Sequence, residues 1–418
     1  MNKRFLLYIL IFVLILISVF LFRAKNTQDN RKEVVFWTLQ LSSFDKYING
    51  IISEFEKDNP DIKIKWIDVP YSEGEKRTLA AVLTDNPPDL VNLTPDFSLL
   101  LAQKNALYTI DIDKLADYAP ALCNLLKYND KYFGIPFYAT SAVTLFNKSL
   151  VTSYDYSNLP KTYDDLFNFN KSSAYLTMIN FSENDTLLKL LNKYVINTPE
   201  TIKNDESIRL FTEFKKLYDT GVIPKESVTQ SHRDSLEQYM SGKIAFLVTG
   251  ANFLNMIKEN APSVYKNTVI LPQLTGSTRL YDFSLMNFVI PKKANNPNEA
   301  LKFALFFTNK QNQLDFAKMT TILPVNEEAL NDEYFREQNK KFESLDGYFN
   351  YIQNNKDIET QARMISAEQL SHPQPPIKNI KNKKELNTIS SNYVQEILIN
   401  NKDIKTSLDE FSRDWQKL

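Results

Sequence analysis

The sequence predicts an α/β protein built from two lobes. With 418 residues the chain is too long for a single hydrophobic core, so at least two domains are expected. Short apolar runs of strand length alternate along the chain with segments whose apolar residues recur at helical spacing. This alternation is interrupted at residues 131–138, an aromatic-rich run that contains Gly134 and Pro136, and then begins again. We interpret this run as the first crossover between the lobes.

The first lobe begins with alternating strands and helices. The apolar run at residues 34–37 predicts a strand, and residues 44–55 then carry apolar side chains at helical spacing. Residues 62–66 alternate between apolar and lysine side chains and predict a second strand, and residues 90–93 predict a third. Between these two strands we expect a helix that Ser72 caps, with Glu75 completing a capping box.

The β-α-β-α-β order implies a parallel sheet with right-handed crossovers. In such sheets, the loops that follow the carboxyl ends of the strands line the ligand crevice. Here those loops are residues 38–41 and 94–97. The order of elements therefore predicts a binding site at this edge of the sheet.

A second α/β lobe is expected after residue 139. Thr162 and Asp165 form a capping box at the start of a helix, and a longer amphipathic helix ends at Gly221. Residues 244–248 are an apolar run that predicts a buried strand, and a turn containing Gly250 follows. The pattern of the first lobe is thus resumed, with helices before the strand.

The chain should then cross between the lobes twice more. Residues 288–290 return it to the first lobe, where Asn296 caps a helix with Pro297 at its first position. Residues 323–325 lead back to the second lobe, on which the C-terminal helix should pack through its single apolar stripe. The predicted boundaries are 33–139 with 286–323 for the first lobe and 140–285 with 324–418 for the second.

Residues 1–32 are set apart by a hydrophobic run. Residues 5–22 contain only Tyr8 and Ser18 as mildly polar members and have basic residues on both sides. A run of about 18 residues can just span a bilayer, and no small-residue cleavage site follows it. We therefore expect an uncleaved transmembrane anchor, with a cleaved signal peptide as the alternative, and a polar tether at residues 24–31.

Composition excludes several classes of function. A net charge of -1 provides no strongly basic surface for nucleic acid. Two His and one Cys argue against a His/Cys metal site and exclude an internal disulfide. His232 and His372 are both expected at the surface. There is neither a Gly-rich phosphate loop nor a G-x-S-x-G motif, and no cofactor is predicted.

Short motifs occur, in order, at the positions where a known family carries them. Gly134-Ile135-Pro136-Phe137 runs into a strand that ends in Phe146-Asn147-Lys148. Six further motifs lie at residues 35–38, 88–90, 159–166, 241–246, 288–292 and 323–325. The chain is similar in these motifs to the extracellular solute-binding proteins of ABC sugar importers, the maltose-binding-like family. The resemblance implies a periplasmic-binding-protein type II-like fold, with two α/β lobes joined by a multi-crossover hinge.

The same resemblance implies a function outside the cytoplasm. The chain would be a monomeric, non-enzymatic subunit that binds a sugar, an oligosaccharide or a related polyol between its lobes. Closure of the lobes about the hinge would join two half-sites into one desolvated site. The closed form would then deliver the ligand to the permease subunits, which work with their ATPase.

A sugar site needs planar aromatic faces and directional hydrogen-bonding groups. The predicted ligand-binding residues are Trp37, Gln40, Asp96, Tyr138, Thr140, Ser141, Asn252 and Phe253. Asp96 and Thr140 occupy positions where relatives carry residues that bind sugar hydroxyls. Relatives often carry a Trp just after the turn at Gly250, whereas Asn252 stands near that place here, followed by Phe253. The choice of ligand is therefore expected to differ.

Two other functions stay open at this point. A membrane-tethered ligand sensor could use the same fold. A glycoside-active enzyme would need two carboxylates facing each other across the cleft. The available pairs are Asp89 or Asp96 with Glu73 or Glu75. These acids lie at helix starts and in strand-end turns, where helix capping and solvation explain them.

Overall fold

A computed structural model of the chain describes residues 29–418 apart from 83, 152, 154–157, 170–172, 184 and 378–381. The described residues divide into two compact units. Unit 1 contains those up to Val91 together with Ile290–Ala304, and unit 2 contains Asn92–Val289 and Leu305–Leu418. The anchor predicted at residues 5–22 lies outside the described residues. Within the described part, no helix is both long enough and apolar enough to cross a membrane.

Unit 1 contains the predicted β-α-β-α-β segment. Its elements are β1 (Lys32–Leu39), α1 (Asp45–Asp58), β2 (Ile62–Val69), α2 (Tyr71–Val82) and β3 (Leu90–Leu93). The boundary of unit 1 falls within β3, after Val91. The strands are parallel, as predicted, and lie in the order β2-β1-β3. The predicted capping role of Ser72 is wrong, because α2 already begins at Tyr71 and Ser72 lies within its first turn.

The core of unit 1 joins β1, α1 and a helix from much later in the chain. α1 buries Ile48, Ile51, Ile52 and Phe55, whose spacing places them on one helical face. Phe303 belongs to α11 (Pro297–Phe307), and its ring meets the rings of Phe36 and Phe55 edge to face, with centroids 5.3 and 5.0 Å apart. The helix predicted after Asn296 is therefore confirmed, and it completes this core.

Unit 2 is organised around one long strand, β6 (Ile135–Asn147). Residues 135–141 of β6 pair antiparallel with β10 (Phe283–Val289). Residues 142–147 pair with β8 (Ile244–Gly250) and β9 (Thr268–Pro272), and β7 (Tyr175–Thr177) lies parallel to β8. β6 therefore changes partners between Ser141 and Ala142. Just before this change, Leu323 forms an isolated bridge to Ala139, so parts of all three predicted crossover segments lie side by side.

The remaining elements of unit 2 are mostly helices. The short strands are β4 (Lys127–Tyr128) and β5 (Lys131–Tyr132). The earlier helices are α3 (Pro95–Gln103), α4 (Pro120–Asn124), α5 (Tyr163–Phe167), α6 (Thr186–Asn192), α7 (Asp205–Asp219), α8 (His232–Met240), α9 (Leu254–Asn260) and α10 (Pro262–Lys266). The later helices are α12 (Lys310–Thr320), α13 (Glu327–Leu330), α14 (Leu345–Asn355), α15 (Ile358–Gln369), α16 (Lys383–Leu398) and α17 (Ile404–Lys417).

Unit 2 contains separate groups of buried side chains. Phe137 of β6 stacks on Phe288 of β10 at 4.1 Å and lies within 6 Å of Phe307 and Phe316. A second cluster joins α6, α7, α16 and α17, where Phe411 and Trp415 are buried. The apolar stripe of the C-terminal helix thus packs against earlier helices of the chain. The lobe boundaries expected from the sequence remain a prediction.

Candidate functional site

Trp37 occupies the predicted position near the carboxyl end of β1. The side chain is half-buried between neighbouring strand residues that are fully buried, Phe36 and Thr38. Its indole nitrogen Nε1 is inaccessible to solvent and has no hydrogen-bond acceptor among the described residues. A buried N–H without an acceptor destabilises the folded state, and such groups are rare in native proteins.

The loop after β1 is held by Asp68, at the end of β2. The Asp68 carboxylate accepts hydrogen bonds from Thr38 Oγ1 at 2.6 Å and from the backbone N–H groups of Leu41 and Ser42, both at 2.9 Å. Thr38 Oγ1 in turn accepts a bond from Trp66 Nε1 at 2.7 Å. This network fixes the conformation of residues 38–42. The alternating pattern of β2 predicted the strand but not this role of Asp68.

Gln40 is presented on that loop in a left-handed conformation. Its φ is 54°, its side chain is exposed, and its backbone N–H donates to the carbonyl of Val69 at 2.9 Å. Gln40, Ser42, Asp68 and Pro70 line a concavity of about 500 Å³. Pockets for small ligands commonly have volumes in this range. Unit 1 therefore presents amide, hydroxyl and carboxylate groups around a concave surface at the carboxyl ends of β1 and β2.

Asp96 lies in the first turn of α3, immediately after β3, and is already engaged by a cation. Its carboxylate is 2.7 Å from the ammonium of Lys383, the first residue of α16, and 58% of its side chain is exposed. The same ammonium is 3.2 Å from the carboxylate of Asp185, which precedes α6. Lys383 was missed by sequence reasoning, because no local pattern links residues so far apart.

The charges in this cluster perturb one another. Partial burial alone favours the neutral amine of Lys383, but Asp96 and Asp185 outweigh it and raise the pKa of Lys383. Burial likewise favours the neutral acid of Asp185, but Lys189 and Lys383 outweigh it and hold the pKa of Asp185 below its usual value. Lys383 and Asp185 are therefore both charged near neutral pH.

The three predicted residues of β6 point in two directions. Tyr138 is half-buried, with its ring edge-on to Phe137, and Thr140 is exposed opposite Ser284 of β10. Ser141, the residue before the segment of β6 that pairs with β8, is 6% exposed. Its hydroxyl accepts a hydrogen bond from Gln369 Nε2 at 2.8 Å and donates one to the carbonyl of Asp282 at 3.2 Å. The Ser141 hydroxyl is therefore satisfied within the protein, whereas Thr140 faces solvent.

Asn252 and Phe253 lie in a short 3₁₀ turn, Ala251–Phe253, directly after β8. The side-chain oxygen of Asn252 lies so close over Gly250 that a Cβ there would collide with it. The ring of Phe253 meets the ring of His232 edge to face at 5.8 Å. His232 Nε2 lies 2.9 Å from Thr249 Oγ1 at the end of β8.

The expectation that His232 is a surface residue is wrong. The ring is partly buried between Phe253 and Thr249, because His232 begins α8 beside the end of β8. Burial lowers the pKa of His232, and the nearby Glu183 only partly opposes this effect. Near neutral pH the imidazole is therefore mainly uncharged.

The structure gathers the predicted residues into groups. Trp37 and Gln40 share one strand end in unit 1. In unit 2, Ala142 of β6 pairs with Gly250 of β8. The turn with Asn252 and Phe253 follows Gly250 and therefore starts close to Ser141. Asp96 is bonded to Lys383 and not to another predicted residue.

Comparison with known proteins identifies the family. The family model described as bacterial extracellular solute-binding protein matches residues 50–343, which is more than half of the chain. The chain belongs to this family. The resemblance read from its motifs is confirmed, and family members are binding proteins rather than enzymes.

Two relatives of this solute-binding protein are sugar-binding proteins by name. The Multiple sugar-binding protein of Streptococcus mutans is 23% identical over 312 residues, covering 68% of this chain and 73% of the relative. The Maltotriose-binding protein of Pyrococcus abyssi is 22% identical over 335 residues, covering 72% and 68% of the two chains.

Solved structures show the same α/β fold. A crystal structure from Synechococcus sp. MITs9220, of a protein proposed to be an oligosaccharide periplasmic-binding protein, superposes with a TM-score of 0.77. The two proteins are 26% identical, and the match covers 92% of this chain and 98% of that one.

A second concavity of this solute-binding protein, of about 410 Å³, has a different character. Charged residues between Lys318 and Arg363 line it, and none of the eight predicted residues takes part. Lys356 pairs with Glu337 at 3.0 Å, and the Arg363 guanidinium stacks 3.7 Å above the ring of Tyr334. These charged groups are thus used within the protein, so we assign the candidate ligand site to the strand ends.

Proposed function

We propose that this chain is the extracytoplasmic substrate-binding subunit of an ABC importer and binds a sugar, an oligosaccharide or a related polyol. It performs no catalysis and passes its ligand to the permease subunits and their ATPase. The family and the names of the sugar-binding relatives support this proposal.

The observation that carries the proposal is the indole N–H of Trp37. It is buried at the carboxyl end of a parallel strand and has no acceptor in the part of the chain that the structure describes. Opening of the lobes about the hinge would expose this N–H. A sugar hydroxyl can then accept the hydrogen bond while the ring of the tryptophan packs on the apolar face of the sugar. Gln40 stands three residues further on, at the concavity.

The proposed site contains the residues expected from the sequence other than Ser141, whose hydroxyl is bonded to Gln369 and Asp282. Trp37, Gln40 and Asp96 belong to the first lobe, residues 33–139 with 286–323, and Asn252 and Phe253 to the second, residues 140–285 with 324–418. Tyr138, Thr140 and Ser141 lie at the hinge. β6 supports a hinge here, because it exchanges one set of partner strands for another between Ser141 and Ala142.

Thermal unfolding of the full chain against a ligand panel tests the proposal. The panel contains monosaccharides, malto-oligosaccharides and polyols, and the protein is kept in a polyoxyethylene detergent, which has no sugar headgroup. Ligand at about 100 times its Kd should stabilise the protein by about 2.7 kcal/mol. Product analysis of each hit separates binding from hydrolysis. A panel without a single stabilising compound would contradict the proposal.

Trp37→Phe then tests the site itself. The substitution keeps an aromatic ring and removes the N–H, so affinity for the strongest hit should fall about two- to tenfold. Trp415→Phe is the matched control, because Trp415 is buried against Phe411 in the helical cluster. The control should lower thermal stability and leave Kd unchanged. Equal Kd values for all three proteins would remove Trp37 from the site.

We further propose that residues 5–22 tether the protein to the cytoplasmic membrane without being cleaved. The support is the length and apolar character of this run, which lies outside the described residues. Extraction of membranes with alkaline carbonate, followed by intact-mass analysis, tests both parts. Release of the chain into the soluble fraction, or a mass that lacks the N-terminal residues, would refute the tether.

A further inference from the structure

Lys383 occupies a position that local electrostatics disfavours. It is the first residue of α16, after the cap Asn382, whose side chain accepts a hydrogen bond from the N–H of Glu385. The amino end of a helix carries a partial positive charge, so a lysine there is unfavourable by itself. A side chain in a locally unfavourable position is expected to make a favourable contact with another part of the protein.

The compensation comes from two carboxylates on other helices. The ammonium lies 2.7 Å from Asp96 Oδ2 and 3.2 Å from Asp185 Oδ2. Asp185 is also 3.2 Å from Lys189, one turn along α6, so it is held within its own helix. Lys383 therefore has one partner at the start of α3 and another at the start of α6.

The two partners belong to different packing groups. α3, which carries Asp96, packs against β10, whereas α6 and α16 share the helical cluster with α7 and α17. All three residues belong to unit 2 of the structure. In the division of the chain predicted from the sequence, however, Asp96 lies in the first lobe, and Asp185 and Lys383 lie in the second. The Asp96 carboxylate is thus joined to a lysine that is 287 residues away in the sequence.

We propose that Lys383 is an electrostatic bridge between the two predicted lobes and favours their closed arrangement before ligand binds. Asp185 keeps the ammonium in place when the lobes separate, and Asp96 captures it when they approach. The inference rests on the two-lobe hinge of the proposed function. Asp96 is also a predicted ligand residue. The bridge therefore orients its carboxylate for a hydrogen bond with a sugar hydroxyl.

A distance measurement on the full chain tests the bridge without any ligand. Spin labels on Lys104→Cys and Lys243→Cys, both exposed positions, report the separation of the two predicted lobes by pulsed electron paramagnetic resonance. Cys123 is the single cysteine of the chain and is buried, which keeps it from the label. Lys383→Met should lower the ratio of the short-distance to the long-distance population by about two- to fivefold, as expected for a partly exposed ion pair.

Matched variants separate the bridge from a general effect of charge. Asp96→Asn removes the partner on the other side and should change the distances as Lys383→Met does. Lys384→Met alters the adjacent exposed lysine, for which the described residues provide no ion pair, and should match the wild type. Raising the salt concentration from about 0.02 to 0.5 M should lengthen the distances in the wild type more than in Lys383→Met.

The outcomes distinguish this inference from the proposed function. If maltotriose or another hit shortens the distances while Lys383→Met leaves them unchanged, the hinge stands and the bridge is refuted. If neither ligand, salt nor substitution alters the distances, the hinge and the bridge both fail. A shift with Lys383→Met and Asp96→Asn, and none with Lys384→Met, supports the bridge.

Discussion

The carboxylate of Asp89 accepts a hydrogen bond from the backbone N–H of Val35 at 2.8 Å. Its second oxygen accepts one from the N–H of Asn296, also at 2.8 Å, and the residue is 1% exposed. Asp89 therefore joins the first strand of unit 1 to the start of α11. A carboxylate committed in this way is unsuited to the acid or base role that a glycoside-active enzyme would give it.

Replacing Asp89 should destabilise the protein strongly. Asp89→Ala leaves two partly buried N–H groups without their charged acceptor, so we expect a loss of about 3 kcal/mol in the free energy of unfolding, measured by urea denaturation. Asp85→Ala is the control, because its side chain is 98% exposed and its ion pair among the described residues is with the exposed Lys293. The control should change stability by about 0.5 kcal/mol or less. Similar losses for both variants would contradict the role of Asp89.

Substitution of Val195 should increase the stability of the protein. Its φ is 61°, a left-handed conformation that a β-branched residue adopts only under strain, and its side chain is 55% exposed. Val195→Gly relieves the strain and loses little buried surface, so stability should rise by about 0.5–1 kcal/mol. The reverse change, Gly221→Ala at a φ of 70°, should lower stability by about 1 kcal/mol. A destabilised Val195→Gly protein would show that the side chain makes a contact of its own.

A buried ion pair near Ser141 should be sensitive to the loss of one partner. The Lys193 ammonium is 2% exposed and lies 2.7 Å from Asp282 and 3.0 Å from the side-chain oxygen of Gln273. Burial lowers the pKa of Lys193, although Asp282 opposes this shift. Lys193→Met leaves Asp282 without its partner and should cost about 3 kcal/mol or more.

Two further variants test that interpretation by denaturation. Lys189→Met removes an exposed lysine of the same helix and should cost about 0.5 kcal/mol or less. In Lys193→Met with Asp282→Asn, both charges are absent, so the loss should be smaller than the sum of the two single losses. Strict additivity would mean that the two charges do not interact.

His232 should give the folded protein a specific dependence on pH. Its pKa in the unfolded chain is near 6.5, and burial lowers it in the folded state, so the unfolded chain binds more protons as the pH falls through this window. The stability that His232 contributes is fully present above pH 6.5 and decreases as the pH falls through the folded-state pKa. Between pH 8 and 5, His232→Gln should therefore lose less stability than the wild type in urea melts. Parallel pH profiles would be inconsistent with a buried, neutral His232.

Patterns of a few residues predicted the elements of this protein well. The first three strands are parallel, as their alternation with helices predicts, and the capping box of Thr162 and Asp165 forms as expected. The expected cap at Ser72 fails although it has a similar residue pattern, because α2 starts at Tyr71, two residues before the start that a cap at Ser72 would give. Local signals locate a helix more reliably than its first residue.

Patterns of this kind could not tell which polar side chains are already satisfied. Ser141 and Thr140 are adjacent in sequence, yet Gln369 occupies the hydroxyl of Ser141 while Thr140 stays exposed. Asp89 directly precedes the apolar strand at residues 90–93 and Asp96 lies shortly after it. Of these two acids, Asp89 is buried and Asp96 is largely exposed. These differences depend on partners more than 200 residues away in the chain.

Sequence patterns alone are enough to predict the α/β class, the parallel pairing of the strands in unit 1 and the resemblance to a solute-binding family. Those properties depend on periodicity and on short motifs, which a linear chain displays directly. Three findings required the folded structure: the described residues offer no acceptor to the indole N–H of Trp37, Asp68 fixes the loop carrying Gln40, and Lys383 reaches Asp96. Hydrogen bonds and ion pairs form wherever folding brings two groups within about 3 Å, and distance along the chain does not predict that proximity.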